Sequence, residues 1–333
     1  MSREDEVLES GNARGSARQD CRSRRHGRFF ALCLAVAPLF AGTIAFAQYQ
    51  VTQPQAVTFR VGNLSLVSLH DGKWNAPNDA SKLGMEVGIE GVKALMTAAG
   101  APTDQLPYSF SQLLVRLGRR TILIDTGHGP LVAGLLVSSL AAANVSPAEV
   151  TDILITHSHY DHIGGLVDKT GHSAFPNAKI HMSAAEWSFV RSGGVASTRN
   201  FEGRRYVLEP KPVAEVVKGQ VITFAPGDTL FPGITSVALP GHTPGHVGYE
   251  ISSRGQRLLV VGDMVHNSII SLARPEWTDG FDVEPKVGIE TRVAMLKKLA
   301  ASGDLVFAEH FPYPSIGQIK VQGDGFAWEP AKP

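Results

Sequence analysis

The chain has 333 residues, 43% of them hydrophobic and 19% charged, with 31 Lys and Arg against 31 Asp and Glu. This composition excludes a disordered chain and a polytopic membrane protein, and the length suits one large domain or two small ones. The even charge balance offers no basic excess to draw the protein onto nucleic acid.

At the start of the chain, an Arg-rich stretch from Arg22 to Arg28 leads into an apolar segment, Phe29–Phe46, that ends in Ala45-Phe46-Ala47. A basic stretch, a short apolar core and a small-x-small ending predict a secretory signal peptide over residues 1–47 and a periplasmic or secreted domain over residues 48–333. The alternative is a single membrane anchor. Pro38 and a core shorter than the ~20 residues of a spanning helix count against it, so no stable membrane insertion is expected after cleavage. Arg24-Arg25 hints at twin-arginine export, but His26-Gly27 follows where a bulky apolar pair belongs. Cleavage after Ala47 leaves 286 residues with 24 basic and 26 acidic side chains, and removes both cysteines, Cys21 and Cys33. Disulfides and thiolate chemistry are thereby excluded from the mature fold. Any metal must be held by His and carboxylates.

Short strands are predicted at Val57–Val61, Leu64–Leu69, Gln112–Leu117 and Thr121–Ile124, the last two joined by a Gly118-Arg119-Arg120 turn. A helix fits Leu131–Ala143. Ser146-Pro147-Ala148-Glu149 has capping-box spacing ahead of a buried strand, Ile153-Leu154-Ile155-Thr156. A further strand is expected at Ala178–Met182, and Ser183-Ala184-Ala185-Glu186 opens a second helix. Strands follow at Val221–Phe224, Ile234–Leu239, His246–Ser252 and Gln256–Val261. Glu284–Ala301 has helical spacing of Val287, Thr291, Ala294, Met295 and Leu299, and Gly303 stops it before the strand Leu305–Ala308. Twice a group of strands is followed by helices, which predicts two α/β halves packed sheet to sheet with helices outside. No period of 20–50 residues is present, and one integrated domain is favoured over two.

Chemistry concentrates where the strands end. In Thr156-His157-Ser158-His159-Tyr160-Asp161-His162 an apolar strand runs into an H-x-H-x-D-H cluster. Residues two apart in an extended segment point the same way, so His157 and His159 can grip one ion while Asp161 and His162 in the following turn face a second. Gly164-Gly165 lets the backbone fold tightly behind them. Any one of these histidines alone reads as a solvated surface residue; three His and one Asp within six residues of a buried strand do not. Two imidazoles leave zinc short of ligands, and other strand ends supply more donors. Gly241-His242-Thr243-Pro244-Gly245-His246, Val260-Val261-Gly262-Asp263 and Phe307-Ala308-Glu309-His310 each place one just past an apolar run.

This constellation resembles the metallo-β-lactamase fold superfamily over nearly the whole mature chain, from about Val57 to the C-terminus. The resemblance implies a four-layer αββα sandwich of two mixed β-sheets with helices outside. It implies that His157, His159 and His242 bind a first divalent ion, that Asp161, His162 and His310 bind a second, and that Asp263 bridges both. Zinc is the expected metal, with manganese, cobalt or iron able to use the same donors. Leu123-Ile124-Asp125-Thr126-Gly127 looks like the superfamily's early strand-end motif, whose Asp supports the ligands. Glu309 reads as a structural carboxylate beside His310, and His246 as a residue that Gly245 and the next strand carry away from the site. His70, His172 and His181 have no partners at ligand spacing; His128 and His266 follow strand-end motifs and are candidates for the pocket rim. Trp187, Phe189 and Phe201 are candidates to line a hydrophobic pocket.

The implied chemistry is hydrolysis by a metal-bridging hydroxide, because paired cations bring the pKa of water from 15.7 to about 7. Asp161 is the candidate catalytic proton carrier. True β-lactamases carry Cys at the Asp263 position or lack a bridging carboxylate, and the glutathione-binding extension of glyoxalase II is missing. The closest resemblance is to an exported branch like methyl parathion hydrolase and the N-acyl homoserine lactonases, which points to small-molecule substrates. Pro314-Ser315-Ile316-Gly317-Gln318-Ile319-Lys320, Gly323-Asp324-Gly325-Phe326 and Phe175-Pro176-Asn177-Ala178 look like the parathion-hydrolase group in particular. Lactone or aryl-ester hydrolysis is the expected activity, with phosphotriester hydrolysis as the alternative. A catalytically inactive metal-binding protein is the alternative from another class, and a homodimer, common among such relatives, stays open.

Overall fold

A computed structural model describes residues 49–50, 53–194 and 210–332. The expected signal segment and Phe201 lie outside the described residues. Strands and helices alternate in two runs, and the strands sort into two mixed sheets. The first contains β1 (Tyr49–Gln50), β2 (Ala56–Val61), β3 (Leu64–Pro77), β4 (Gln105–Leu117), β5 (Arg120–Ile124), β6 (Asp152–Leu154), β7 (Lys179–Ser183) and β8 (Val221–Phe224). From β4 onward its spatial order follows the sequence, and β5 through β8 run parallel. The second contains β9 (Thr229–Phe231), β10 (Ile234–Ala238), β11 (Val247–Ser253), β12 (Gln256–Val260), β13 (Leu305–Phe307), β14 (Ile316–Gln322) and β15 (Gly325–Pro330), with β12 and β13 parallel.

The two sheets share one apolar interior. Leu113, Ile122 and Leu154 from the first sheet are buried with Tyr249, Val260 and Phe307 from the second. On the outer face of the first sheet, Leu123, Ile153 and Ile180 pack against Leu136, Leu140, Val190 and Val213 of its covering helices. On the outer face of the second, Leu259, Val306 and Ile319 pack against Leu296 and Leu299. Burying each such side chain contributes about 1.5–3 kcal/mol, which makes the four αββα layers mutually dependent.

Three expectations need correction. The helix expected over Leu131–Ala143 is only Leu136–Ala142, preceded by a short 3-10 turn at Pro130–Val132. Between them Ala133 turns left-handed at φ 58°, and the buried Asp71 carboxylate accepts the Leu136 N–H at 2.8 Å, so a long-range cap sets the helix start. β3 and β4 are 14 and 13 residues long instead of six, because they pair far beyond their apolar runs, from Ser65 with Arg116 to Pro77 with Gln105. The helix expected over Glu284–Ala301 forms as Pro285–Ser302, but its buried stripe is Gly288, Arg292, Leu296 and Leu299, one position round from the predicted face. A charged side chain at the centre of that stripe defeated an apolar template. The helix Gly88–Ala98 and the β14–β15 hairpin were not anticipated.

Away from the carboxyl ends of the parallel strands, Asp152 stitches β5, β6 and β7 together. Its buried carboxylate accepts from Arg120 Nη1 at 2.7 Å and from Thr151 Oγ1 at 2.8 Å, and faces His181 Nε2 at 3.1 Å. Burial would raise its pKa, but these three donors outweigh it and hold the pKa below the ordinary 3.8. The folded protein therefore prefers the ionised form, and the stabilisation is present above the unfolded pKa and lost as pH falls through the folded one. Asp152→Asn should lower unfolding stability by about 1–3 kcal/mol at pH 7 in urea denaturation, with the difference from wild type shrinking below pH ~3.8.

Candidate metal centre

The donors singled out in the sequence all emerge at carboxyl ends of strands, on one edge of the sandwich, where ligands of open α/β sheets characteristically bind. His157 and His159 follow β6, and the short helix Tyr160–Ile163 turns Asp161 and His162 back toward them. His242 follows β10, Asp263 sits in a 3-10 turn after β12, and His310 follows β13. Tight approach makes the turns possible. A Cβ on Gly165 would lie 1.9 Å from Thr126 O, and one on Gly262 would lie 2.5 Å from His246 Nε2.

The seven side chains converge as two clusters that share Asp263: His157, His159, His242 and Asp263, and Asp161, His162, Asp263 and His310. In the first, His159 Nδ1 is 2.7 Å from His242 Nε2 and 3.1 Å from His157 Nε2, and the two Nε2 atoms are 3.1 Å apart. Asp263 Oδ2 lies 3.2 Å from His242 Nε2 and 3.6 Å from His157 Nε2. In the second, Asp263 Oδ1 lies 3.1 Å from His162 Nε2 and 2.9 Å from His310 Nε2, with Asp161 Oδ2 at 3.6 and 3.7 Å from the same nitrogens. One carboxylate thus gives an oxygen to each cluster.

These residues fit divalent cations. A tetrahedral ion with bonds of ~2.0–2.1 Å sets its ligand atoms roughly 3.3 Å apart, and the observed separations bracket that value. The outer nitrogens of several rings are already used, which fixes their tautomers. His310 Nδ1–H donates to Ser109 O at 3.1 Å, and His157 Nδ1 meets Thr156 Oγ1 at 3.1 Å, whose hydroxyl donates to Asp125. His162 Nδ1 is 2.9 Å from both Asp125 Oδ2 and Glu309 Oε2. Each of these rings turns Nε2 inward. Among the described residues His162 Nε2, His310 Nε2 and Asp263 Oδ1 are buried with no aligned hydrogen bond; Asp263 Oδ1 lies 3.1 and 2.9 Å from the two nitrogens, as atoms turned toward a common centre do.

The histidines divide by their neighbours: burial would lower His162 and His242, but the facing carboxylates, Asp263 foremost, outweigh it and raise both. Burial and then the neighbouring imidazoles hold His157 and His159 well below the usual imidazole pKa, so they are neutral donors. Burial would raise Asp263, but His162, His310, His157 and His266 outweigh it and keep it well below the carboxylate range. Glu309, grouped with Asp125 and His162, is fully buried, and burial, then the adjacent Asp125, pushes its pKa well above the usual value.

The two histidines beside these motifs are more closely involved than expected. His246 is not carried away; its ring lies 5.1 Å from that of His157. It cannot bind metal there, because Nδ1–H donates to Leu239 O at 2.8 Å and Nε2 accepts the Asp263 N–H at 3.0 Å. Burial, then His242, lowers its pKa to about 3, so it stays neutral and holds the backbone of Asp263. His266 is buried instead of lying on the rim, between Asp279 Oδ2 at 2.7 Å and Asp263 Oδ2 at 3.1 Å. Burial opposes its charge, but those two carboxylates push its pKa up to about 10. His128 is half-buried, held by Asp71 through its N–H at 2.9 Å.

Of the expected pocket residues, Trp187 packs on the core of the first sheet's outer face under Arg191. The aromatic rings beside the clusters are Phe110 and Tyr108, 5.2 and 6.3 Å from His310, and Phe281, 4.9 Å from His266. Glu186 was read only as a helix-opening residue. It is fully buried: Oε1 accepts from Ser158 N and Oγ at 2.8 and 2.5 Å, and Oε2 from Thr243 Oγ1 and Gly245 N at 2.6 and 3.1 Å. It therefore ties the loop of His157 and His159 to that of His242.

A two-sheet sandwich with paired His/Asp clusters at its strand ends defines a class of metal-binding αββα protein. The chain matches the metallo-beta-lactamase superfamily over residues 111–310, and it belongs to that superfamily. Among curated relatives, a "probable metallo-hydrolase" of Mycobacterium tuberculosis is 28% identical over 46% of this chain and 56% of its own length. Metallo-beta-lactamase domain-containing protein 1 of Xenopus laevis is 31% identical over 46% of this chain and 49% of its own length. The chain thus spans about half the length of the curated relatives it matches. Among solved structures, AidC, described as a dizinc quorum-quenching lactonase in complex with a product, is 28% identical with a TM-score of 0.76, covering 84% of this chain and 98% of AidC. The hydrolase AbOPH is 27% identical with a TM-score of 0.73, covering 85% of this chain and 99% of AbOPH.

Removing the Glu186 carboxylate should part the two loops without deleting a donor. Glu186→Ala is expected to weaken zinc binding roughly 10–100-fold in competition with a chelator.

Proposed function

We propose that the protein is a dinuclear metal-dependent hydrolase of lactones and esters, acting in the periplasm or outside the cell. The division of Asp263, with Oδ2 toward one cluster and Oδ1 toward the other, carries this reading. In it, His157, His159 and His242 would hold one divalent cation, Asp161, His162 and His310 would hold a second, and Asp263 would serve both, with zinc the metal best suited to such His/Asp sets. Bound there, such cations would supply a water of lowered pKa and a Lewis acid for the scissile carbonyl. The resemblance to AidC, described as a dizinc lactonase, supports the substrate class. The export assignment rests on the Phe29–Phe46 segment.

The chain's own residues would do the rest. Asp161 has a side chain 23% exposed, more open than Asp263 at 4%. Burial works against its charge, but His162 foremost keeps it below the usual carboxylate pKa. It is the group that carries the proton from water to the leaving alkoxide as hydroxyl adds to the carbonyl carbon and the acyl C–O bond breaks. Phe110, Tyr108 and Phe281 give an apolar wall beside His310 and His266 for an acyl chain or aryl ring.

Three measurements test the reading. Protein purified without added metal should contain about two equivalents of divalent cation, and Asp263→Ala should lose both along with roughly 10³-fold or more of kcat/KM. Compared side by side, acyl homoserine lactones or dihydrocoumarin should exceed methyl paraoxon in kcat/KM; a tenfold dominance of the phosphotriester would reverse the substrate assignment. With metal content held constant, Asp161→Asn should remove the acidic limb of the pH–rate profile, and an unchanged limb would reject the proton-carrying role.

A further inference from the structure

Arg292 is the charged residue inside the buried stripe of the helix Pro285–Ser302, and the chemistry above does not use it. Only 2% of it is exposed. Taking a guanidinium out of water costs several kcal/mol unless its donors are met, so its partners indicate what it is for. Nε donates to Met264 O at 2.9 Å, Nη1 to Pro275 O and Trp277 O at 3.3 Å each, and Nη2 to Asp282 Oδ2 at 2.6 Å, with Asp279 Oδ2 4.0 Å away.

Three of these partners lead directly to the clusters. Met264 follows Asp263 in the chain. The other oxygen of Asp282, Oδ1, faces His242 Nδ1 at 3.4 Å, close enough to pair though off the hydrogen-bond line. Asp279 holds His266 Nδ1 at 2.7 Å, and His266 in turn meets Asp263 Oδ2. The helix is shaped to admit the Asp282 carboxylate: a Cβ on Gly288, one turn before Arg292, would lie 2.3 Å from its Oδ2. Backbone bonds from Val283 N to His242 O and from Glu284 N to Gly241 O join the Asp282 loop to the His242 loop.

We infer that Arg292 is a positioning residue for the metal centre: a single buried guanidinium that fixes His242 through Asp282 and Asp263 through the Met264 carbonyl and the Asp279–His266 pair. This rests on the proposed metal-binding role of the clusters. A planar fork with five donors can span these acceptors at once, whereas a lysine ammonium is a point charge that can meet Asp282 alone. The support is uneven. It falls on His242 and Asp263, whereas His310 is held by a backbone carbonyl and His162 by Asp125 and Glu309. Loss of Arg292 should therefore loosen the His157, His159 and His242 cluster more than the cluster containing His310.

The test is titration of Co²⁺ into metal-stripped wild type, Arg292→Met, Arg292→Lys and Asp282→Asn, following the visible cobalt bands and competition with a chelator. Asp152→Asn serves as a remotely destabilised control. One of two cobalt equivalents should bind roughly 10–100-fold more weakly in Arg292→Met and Asp282→Asn with altered bands, and Arg292→Lys should recover only part of the loss. Asp152→Asn should keep wild-type cobalt affinity despite its lower melting temperature. If Arg292→Met does not fold, Arg292→Lys and Asp282→Asn still decide the matter. Wild-type cobalt affinity and spectra in both of these, or an equal loss in Asp152→Asn, would overturn the positioning role alone. A wild-type protein that takes up no cobalt would overturn it together with the metal-centre reading.

Discussion

The structure turns on how one buried carboxylate is shared. Asp263 gives Oδ2 to the imidazoles of His157 and His242 and Oδ1 to those of His162 and His310, all at 2.9–3.6 Å. Such a carboxylate is tolerated inside a protein only when it is paired or coordinates a metal, and here it is ringed by these four histidines from three strand ends. Its backbone is constrained as tightly as its side chain: Gly262 allows the turn, and the neutral His246 takes its N–H.

Around this carboxylate the remaining buried charges work in pairs of loops. Glu186 joins the two loops that carry His157, His159 and His242. Asp125 joins β5 to the segment after β6, accepting from Thr156 N at 2.8 Å while facing His162. Tyr249, from the second sheet, donates to Ile155 O at 2.6 Å just before His157, so the sandwich interior itself sets the height of the cluster. None of these side chains belongs to the two clusters that share Asp263; each is hydrogen-bonded to a segment that carries cluster residues. The Asp152 network is built differently. There a carboxylate meets a half-exposed arginine and a histidine at the ends of β5, β6 and β7, and it supplies stability without converging on an inward-facing cluster.

Much of this was legible in the sequence because its signals are local. Strand patterns of four to seven residues placed β5, β7, β8, β10, β11 and β12 to within a residue or two. The seven donors could be named because each lies one to eight residues beyond such a run, where a chain leaving a sheet must turn. What was not legible depended on distant partners. No local pattern reports that β3 and β4 continue as a ribbon through Gly72 and Asn75, that Asp71 starts the helix at Leu136, or that Phe110 and Tyr108 flank the clusters in place of Trp187.

The sequence by itself determined which residue types stand at which strand ends, since alternation and turn chemistry depend on near neighbours. The grouping of the donors and the place of Asp263 between them came from the family resemblance; only the tertiary structure decided that His246 and His266 serve its backbone and carboxylate. It also decided that Arg292, outwardly an ordinary helix arginine, is buried behind the site. The reason is physical: a charge enters an interior only where acceptors from remote segments offset its lost hydration, and those segments meet only after the sheets have packed.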